Sequence, residues 1–211
     1  MLEVKRQLIT FTEDSLTDWT DINAVALDEI YTQNTEYDAL DRMTRDYNWH
    51  HTPLKVAVYE PSYNERGVLK SEDIIINAEK QITADGFKHN GGERTTPIKA
   101  ISYDAKGQRT QIQYGNGTST RYFYDLETFR LKQLRTTKTS PGESLPRPPS
   151  DLTDNNALQN LYYSYDPVGN ITEIRDDAYE HVFFKNQEVK PRSRYTYDAL
   201  YRLSLSSNYG K

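Results

Sequence analysis

The feature that most restricts how this chain can fold is a Tyr-Asp pair that recurs along it. Four of the five copies have an aromatic or apolar residue two places upstream, and each has a short turn ending in Arg, Gly or Asn downstream. The copies are Tyr37-Asp38 with Arg42, Tyr103-Asp104 with Gly107 and Arg109, Tyr124-Asp125 with Arg130, Tyr165-Asp166 with Gly169 and Asn170, and Tyr197-Asp198 with Arg202. Tyr63-Asn64 with Gly67 is a degenerate sixth. The gaps between successive tyrosines are 26, 40, 21, 41 and 32 residues, so a unit near 21 accounts for three of them and the other two need insertions. A unit of this size reads as a hairpin that cannot bury its own apolar face and relies on stacked neighbours.

The chemistry around each pair is that of strands meeting at a turn. In Tyr122-Phe123-Tyr124, Tyr163-Ser164-Tyr165 and Tyr195-Thr196-Tyr197 the outer tyrosines are two residues apart, which places them on one face of a pleated strand. Asp166-Pro167-Val168-Gly169 has Asp, Pro and Gly where a type I turn prefers them, and Asp104-Ala105-Lys106-Gly107 fits the same template without Pro. The Asp carboxylate can accept bonds from amides two residues on, and a positive φ is expected at Gly169. Gly115-Asn116-Gly117, flanked by Gln111-Ile112-Gln113-Tyr114 and Thr118-Ser119-Thr120-Arg121-Tyr122, predicts a further hairpin. A strand is expected at Ile74-Ile75-Ile76 and a polar, glycine-bearing loop over Asp85 to Thr96.

These signals divide the chain into a lead-in segment (1–30), a repeat-bearing β segment (31–138), a proline-rich insertion (139–161) and a second repeat-bearing segment (162–211). Pro141, Pro146, Pro148 and Pro149 give the insertion polyproline character, and Asp151 to Leu161 is compatible with a short helix. The fold class is therefore all-β, built of antiparallel hairpin repeats with loop insertions.

Composition narrows the function. Seventeen tyrosines carry much of the apolar content, and 26 basic residues are interleaved with 31 acidic ones for a net charge of −5. No basic footprint for nucleic acid is present. The chain has no cysteine, so disulfides and thiolate metal sites are excluded. No apolar run approaches the roughly 20 residues of a spanning helix, and Met1 to Thr10 lacks the apolar stretch of a secretory signal. A secreted location without a recognisable signal peptide is expected, or a cytoplasmic one before export.

Tyr37-Asp38-Ala39-Leu40-Asp41-Arg42, Tyr165-Asp166-Pro167-Val168-Gly169-Asn170-Ile171-Thr172 and Tyr197-Asp198-Ala199-Leu200-Tyr201-Arg202-Leu203 resemble YD repeats. Rhs proteins carry such repeats, as do the B and C components of insecticidal toxin complexes and, more distantly, teneurins. The stretches between repeats look closest to the B component or SpvB-like proteins. The resemblance implies a β-sheet strip spiralling into a hollow shell, with other repeat segments, toxin-complex components and an enclosed toxic polypeptide as partners. Complete shells are considerably longer, which implies that these residues are a piece of a larger protein or a truncated reading frame, without the features that would close a shell. The self-cleavage motif of some relatives is not present near the C-terminus. Asp41, Thr128 and Tyr201 stand where the pattern usually has Gly, implying looser turns.

No catalytic, cofactor or metal site is expected. His50 and His51 point to opposite faces of a strand, and His89 and His181 lack ligand spacing. The acidic pairs Glu72-Asp73 and Asp176-Asp177 have no second carboxylate placed against them, and nucleophile elbows and phosphate loops are missing. Asn116-Gly117-Thr118 and Asn170-Ile171-Thr172 match a glycosylation acceptor, which carries little meaning in a bacterial chain. The rival to a shell role is a carbohydrate-binding or adhesion module stacking sugars on the tyrosine stripes, against the simpler reading of those stripes as packing ladders. Repeats that bury their faces only against neighbours also predict that the isolated chain self-associates.

Overall fold

Alternation of side chains across the pleat decides where each strand buries itself. In Val56-Ala57-Val58 the two valines are buried, at 2% and 0% exposure, while the residues flanking them are more open. The computed structural model describes residues 2–9, 20, 27–51, 55–84, 86–138, 157–179, 182–184, 187–189 and 191–208. Among these every regular element is a strand, and no helix is long and apolar enough to cross a membrane. Two compact units divide the chain, Met1–Pro97 and Ile98–Lys211.

The first unit is an antiparallel meander of β1 (Leu2–Ile9), β2 (Leu27–Tyr37), β3 (Met43–His50), β4 (Val56–Tyr63) and β5 (Leu69–Thr83), with the first residues of β7 (Glu93–Tyr103) beside β5. β5 changes course at Asn77, whose φ is 58°, and the register slips there from Val58↔Ile75 to Val56↔Ala78. Beyond that kink β5 pairs with β6 (Gly86–Asn90), and this hairpin lies over the face formed by β2 and β3. Phe87 meets the Tyr47 ring edge-on at 5.8 Å, completing a core of Tyr47, Val56, Val58, Ile75, Ala78 and Phe87.

Most polar groups under the hairpin are partnered, as burial demands, the Tyr47 hydroxyl and His89 Nδ1 being buried exceptions. The Lys80 ammonium donates to the buried Asn34 Oδ1 and lies 3.1 Å from His50 Nε2 and 4.0 Å from the centre of the Phe87 ring. Glu60 on β4 receives Arg45 Nε at 2.8 Å, His89 Nε2 at 3.0 Å and Arg94 NH2 at 2.8 Å, so one carboxylate joins β3, β6 and β7. The loop expected over Asp85 to Thr96 is mostly strand: among the described residues only Gly91 and Gly92 lie between β6 and β7. Strand pairing with β5 satisfies the backbone there despite the polar sequence.

The second unit continues as an antiparallel meander: β7 from Ile98, then β8 (Arg109–Tyr114), β9 (Thr118–Tyr124), β10 (Leu131–Lys138), β11 (Ala157–Tyr165) and β12 (Ile171–Asp176). A small separate hairpin of β13 (Val182–Phe184) and β14 (Gln187–Val189) precedes β15 (Arg192–Tyr197) and β16 (Leu203–Asn208), which complete the order β12-β15-β16. The expected hairpin around Gly115-Asn116-Gly117 joins β8 to β9, closed by Gly117 N–H on the Tyr114 carbonyl at 3.3 Å. Among the described residues only Ile101 and Ile112 are deeply buried apolar residues here, and the others buried are polar: Ser119, Thr120, Gln133, Thr137 and Asn160. Gln133 Nε2 donates to Asn160 Oδ1 at 2.7 Å and Tyr162 Oη at 2.9 Å, the Thr120 and Thr136 hydroxyls are 2.8 Å apart, and Ser119 Oγ accepts from Gln111 Nε2 at 2.9 Å. Where the sequence is compatible with a helix over Asp151 to Leu161, residues 157–161 are instead the start of β11, paired with β10; residues 139–156, with the four prolines, lie outside the described residues, as does His181.

Candidate functional site

The Tyr-Asp turns share one construction. Asp38, Asn64, Asp104, Asp166 and Asp198 each donate their N–H to the carbonyl four residues on and accept, at the backbone oxygen, the N–H three residues on. This is a type I turn whose fourth residue is left-handed and begins a bulge. The left-handed residues are Asp41 (φ 57°), Gly67 (75°), Gly107 (87°), Gly169 (110°) and Tyr201 (59°). The side-chain oxygen at the first position closes each turn from within: Asp38 Oδ1 takes Leu40 N at 2.8 Å and Arg42 N at 3.0 Å, and Asp166 Oδ1 takes Gly169 N at 2.7 Å and Asn170 N at 2.8 Å. Asn64 Oδ1 does the same for Arg66 and Val68, which makes the degenerate copy a working one. An acceptor is needed there, and a charge is not.

The carboxylates of Asp38, Asp166 and Asp198 are held below their ordinary range. Arg42 does most for Asp38, whereas at Asp166 partial burial pushes upward and is outweighed by bonds from Asn170 and Gly169. Asp41 and Tyr201 adopt the glycine conformation without losing a turn hydrogen bond, so these turns are not looser. The Asp125 turn is one residue longer. Asp125 N–H reaches the Arg130 carbonyl, and the left-handed residue is Phe129 (φ 58°), not Thr128, whose N–H and hydroxyl instead bond Asp125 Oδ1. An aromatic residue in that region is strained by about 1 kcal/mol or more. We expect Tyr201→Gly to raise stability by roughly 0.5–1 kcal/mol, the strain relieved less the greater chain entropy lost by glycine; an unchanged or lower urea midpoint would contradict this.

Immediately behind every turn the register slips by one residue on the returning strand. The slip follows the pairs Tyr37↔Met43, Tyr63↔Leu69, Tyr103↔Arg109, Tyr124↔Leu131, Tyr165↔Ile171 and Tyr197↔Leu203. The residue facing the tyrosine offers its carbonyl to the tyrosine of the next hairpin. Tyr63 Oη donates to the Met43 carbonyl at 2.8 Å, Tyr124 Oη to Arg109 at 3.0 Å, Tyr165 Oη to Leu131 at 2.7 Å and Tyr197 Oη to Ile171 at 2.9 Å. The tyrosine is thus a rung tying one hairpin to the one before it. Tyr165→Phe and Tyr197→Phe should each lower stability by about 1 kcal/mol, additively, since each removes one half-buried hydrogen bond at a separate turn. Urea unfolding of the two single variants and the double checks it.

The basic residues divide into two roles. Arg42 and Arg202 grip their own turn's carboxylate, with Nε on Asp38 Oδ2 at 2.7 Å and on Asp198 Oδ2 at 2.8 Å; Arg42 also lies over the Tyr63 ring of the next turn at 4.9 Å. Arg130 reaches forward instead, donating to the Asp166 carbonyl at 3.0 Å while its guanidinium sits 5.6 Å from the centre of the Tyr165 ring. Arg109 is not the equivalent of Arg42. Gln108 fills that place, its N–H on Asp104 Oδ1, and Arg109 is one residue later, serving through its carbonyl. The spacing of residue types could not reveal the acceptor carbonyls of Met43, Leu131 and Ile171, because a backbone atom leaves no mark on the sequence.

The histidines go elsewhere. His50 bonds Asn48 and Lys80, His51 the Ile30 carbonyl and His89 Glu60, and among the described residues no three His, Cys, Asp or Glu side chains are grouped to hold a metal.

No protein-family model matches the chain. It is 31% identical over 213 residues to Toxin subunit YenC2 of Yersinia entomophaga, covering 98% of this chain and 19% of that subunit. It is 41% identical over 118 residues to Toxin subunit YenC1 of the same organism, covering 56% of this chain and 11% of that one. In a Photorhabdus luminescens Tc holotoxin pore structure, the chain superimposes with a TM-score of 0.67 at 28% identity, over 97% of its length and 8% of that chain. A TcdB2-TccC3 crystal structure gives 0.65 at 30% identity, over 96% and 8%. The chain thus spans 19% or less of the length of these relatives. Relatedness along nearly all of its length, the shared fold and the recurring turn place it in the YD-repeat, Rhs-like family of toxin-complex proteins.

Proposed function

We propose that this segment is a non-catalytic piece of a toxin-complex shell, whose larger protein encloses or presents a toxic polypeptide and is secreted. The observation that carries the reading is the tyrosine rung, a hydroxyl of one hairpin on the bulge carbonyl of the preceding one, repeated at Met43, Arg109, Leu131 and Ile171. Such a link lengthens a sheet by identical steps, which is what an enclosing wall requires. The repeat residues, from Tyr37, Asp38 and Arg42 to Tyr197, Asp198 and Arg202, are structural in this reading. The repeat-bearing parts are 31–138 and 162–211, set off by the lead-in 1–30 and the insertion 139–161. Its partners are other repeat segments and toxin-complex components. The relatives named YenC1 and YenC2 support placing the chain with their kind of subunit rather than with the B component.

The carbohydrate-binding alternative is disfavoured by the use already made of the tyrosines. Four hydroxyls are engaged by neighbouring backbone, and burial pushes up the phenols of Tyr122 and Tyr163. A chimera tests the proposal: YenC2 with its matched region replaced by these residues should still assemble and shield its enclosed polypeptide from added protease. A folded chimera whose enclosed polypeptide is digested at the rate of free polypeptide would overturn it.

A further inference from the structure

A lysine held against neutral partners keeps a charge that burial disfavours, and one such lysine lies beneath the β5–β6 hairpin. Asn34 on β2 is fully buried, and its carboxamide is held at both ends. Oδ1 accepts from the Lys80 ammonium, and Nδ2 donates to Glu3 Oε2 of β1 at 2.9 Å. Lys80 Nζ also lies 3.1 Å from Nε2 of His50, a β3 residue only 6% exposed. The tautomer of that imidazole is fixed by its other nitrogen. Nδ1 stands 2.8 Å from the Asn48 carbonyl, which can only accept, so Nδ1 carries the proton and Nε2 presents a lone pair to Lys80. The Phe87 and Tyr47 ring centres are 4.0 and 5.7 Å from Nζ. A carboxamide and an imidazole can bond the ammonium but cannot neutralise it, and burial pushes the Lys80 pKa down against the pull of Glu3. The bond from Asn34 holds Glu3 below its ordinary range, so it is present as carboxylate, with Lys5 on its other oxygen at 3.1 Å.

We propose that Lys80 and Asn34 become joined by an intramolecular isopeptide bond, which the folded chain forms on itself with His50 as base and Glu3 as proton carrier. His50 Nε2 takes one proton from the ammonium, and the freed Nζ lone pair attacks Asn34 Cγ, the carbon bonded to the oxygen that Lys80 already holds. Both nitrogens then sit on one carbon, so a carboxylate that grips Nδ2 is in reach of Nζ as well. Glu3 accepts the second proton from Nζ and passes it to Nδ2; the Cγ–Nδ2 bond breaks and ammonia leaves. The three ammonium hydrogens end on His50, on the departing ammonia and on the new amide, and no oxidant, reductant or cofactor is needed. Holding the reacting groups together supplies the acceleration, and exchange of a partly buried cation for a neutral amide favours the product. The groups come from β1, β2, β3 and β5, so they meet only once the first unit has folded. The bond ties β5 to β2 across 46 positions of chain. It forms once per molecule without turnover, and it does not rest on the shell reading.

Mass spectrometry of the full, folded chain decides the matter. The chain should weigh one ammonia less than its sequence. A tryptic digest should contain the Asn34 peptide joined to the Lys80 peptide, with no cleavage after Lys80. Lys80→Arg keeps the cation but cannot form the bond, so it should have its full mass and run more slowly than the joined chain in denaturing electrophoresis. The Glu3 side chain is 41% exposed, so Glu3→Gln should fold, yet joining should slow by roughly a hundredfold, the usual weight of one proton-transfer group. That variant should be recovered mostly unjoined. Cooperative urea unfolding verifies that each chain is folded. A folded chain of full mass after prolonged incubation would overturn the proposal. So would loss of ammonia without the joined peptide, which would signal cyclisation at Asn116-Gly117 instead, and so would equal joining in Glu3→Gln.

Discussion

Replacing Gly92 by valine should destabilise the first unit by about 4 kcal/mol, combining the strain of a branched side chain at positive φ with overpacking. Gly92 has φ +87°, and a Cβ there would stand 2.6 Å from Ile75 Cγ2, 2.8 Å from the Ile76 carbonyl oxygen and 3.1 Å from Ala78 Cα. Two of those neighbours are backbone atoms at the kink of β5, which cannot rotate away. Gly91, with φ +62° and nothing within 4 Å of its notional Cβ, is the internal control. Gly91→Ala should cost only about 1 kcal/mol, the conformational part alone. Urea unfolding of both variants decides the matter. Equal losses would mean that the close approach of Gly92 to β5 carries no weight.

Acid should dissect the second large effect. Glu60 has its pKa lowered to about 2: burial pushes it upward, but bonds from Arg45, His89 and Arg94 outweigh that. Its folded value lies below its unfolded one, so the stabilisation is fully present above the unfolded pKa of 4.5 and is lost as pH falls from there toward 2. Allowing for relaxation and some solvent screening, we expect Glu60→Gln to lose roughly 2–3 kcal/mol at pH 7. The difference from the unmodified protein should shrink steadily below pH ~4 as Glu60 itself is protonated. Unfolding midpoints across that range provide the measurement; a difference independent of pH would assign the loss to packing instead of charge.

Much of the turn architecture was legible because turn chemistry is local. Asp166-Pro167-Val168-Gly169 carries its own instructions, and so does Gly115-Asn116-Gly117. Less legible were features that depend on partners far along the chain. The polar run from residue 85 to 96 reads as loop, yet β6 pairs with the far half of β5 because Asn77 redirects that strand. Asn77 sits in an apolar and charged stretch with no turn signature of its own. The inserted residue in the Asp125 turn moved the left-handed position from Thr128 to Phe129, a one-residue displacement that repeat counting does not register. Gln133 and Asn160 look like surface residues in sequence and are buried because they satisfy each other across β10 and β11. The same limit applies to the rungs: tyrosine spacing indicates a face, while the acceptor is a main-chain oxygen freed by a bulge.

Within each unit, the strands of the main sheet largely neighbour those next to them in the chain. Pairing in such a meander mostly joins consecutive strands, and closing a short hairpin loop requires little chain entropy to be lost. Assembly can therefore run in the direction of synthesis, each hairpin emerging from the ribosome onto an edge already in place. The rung acts as a check on register, because a strand slipped by one residue would turn its side chains to the wrong face and carry the tyrosine away from the waiting carbonyl.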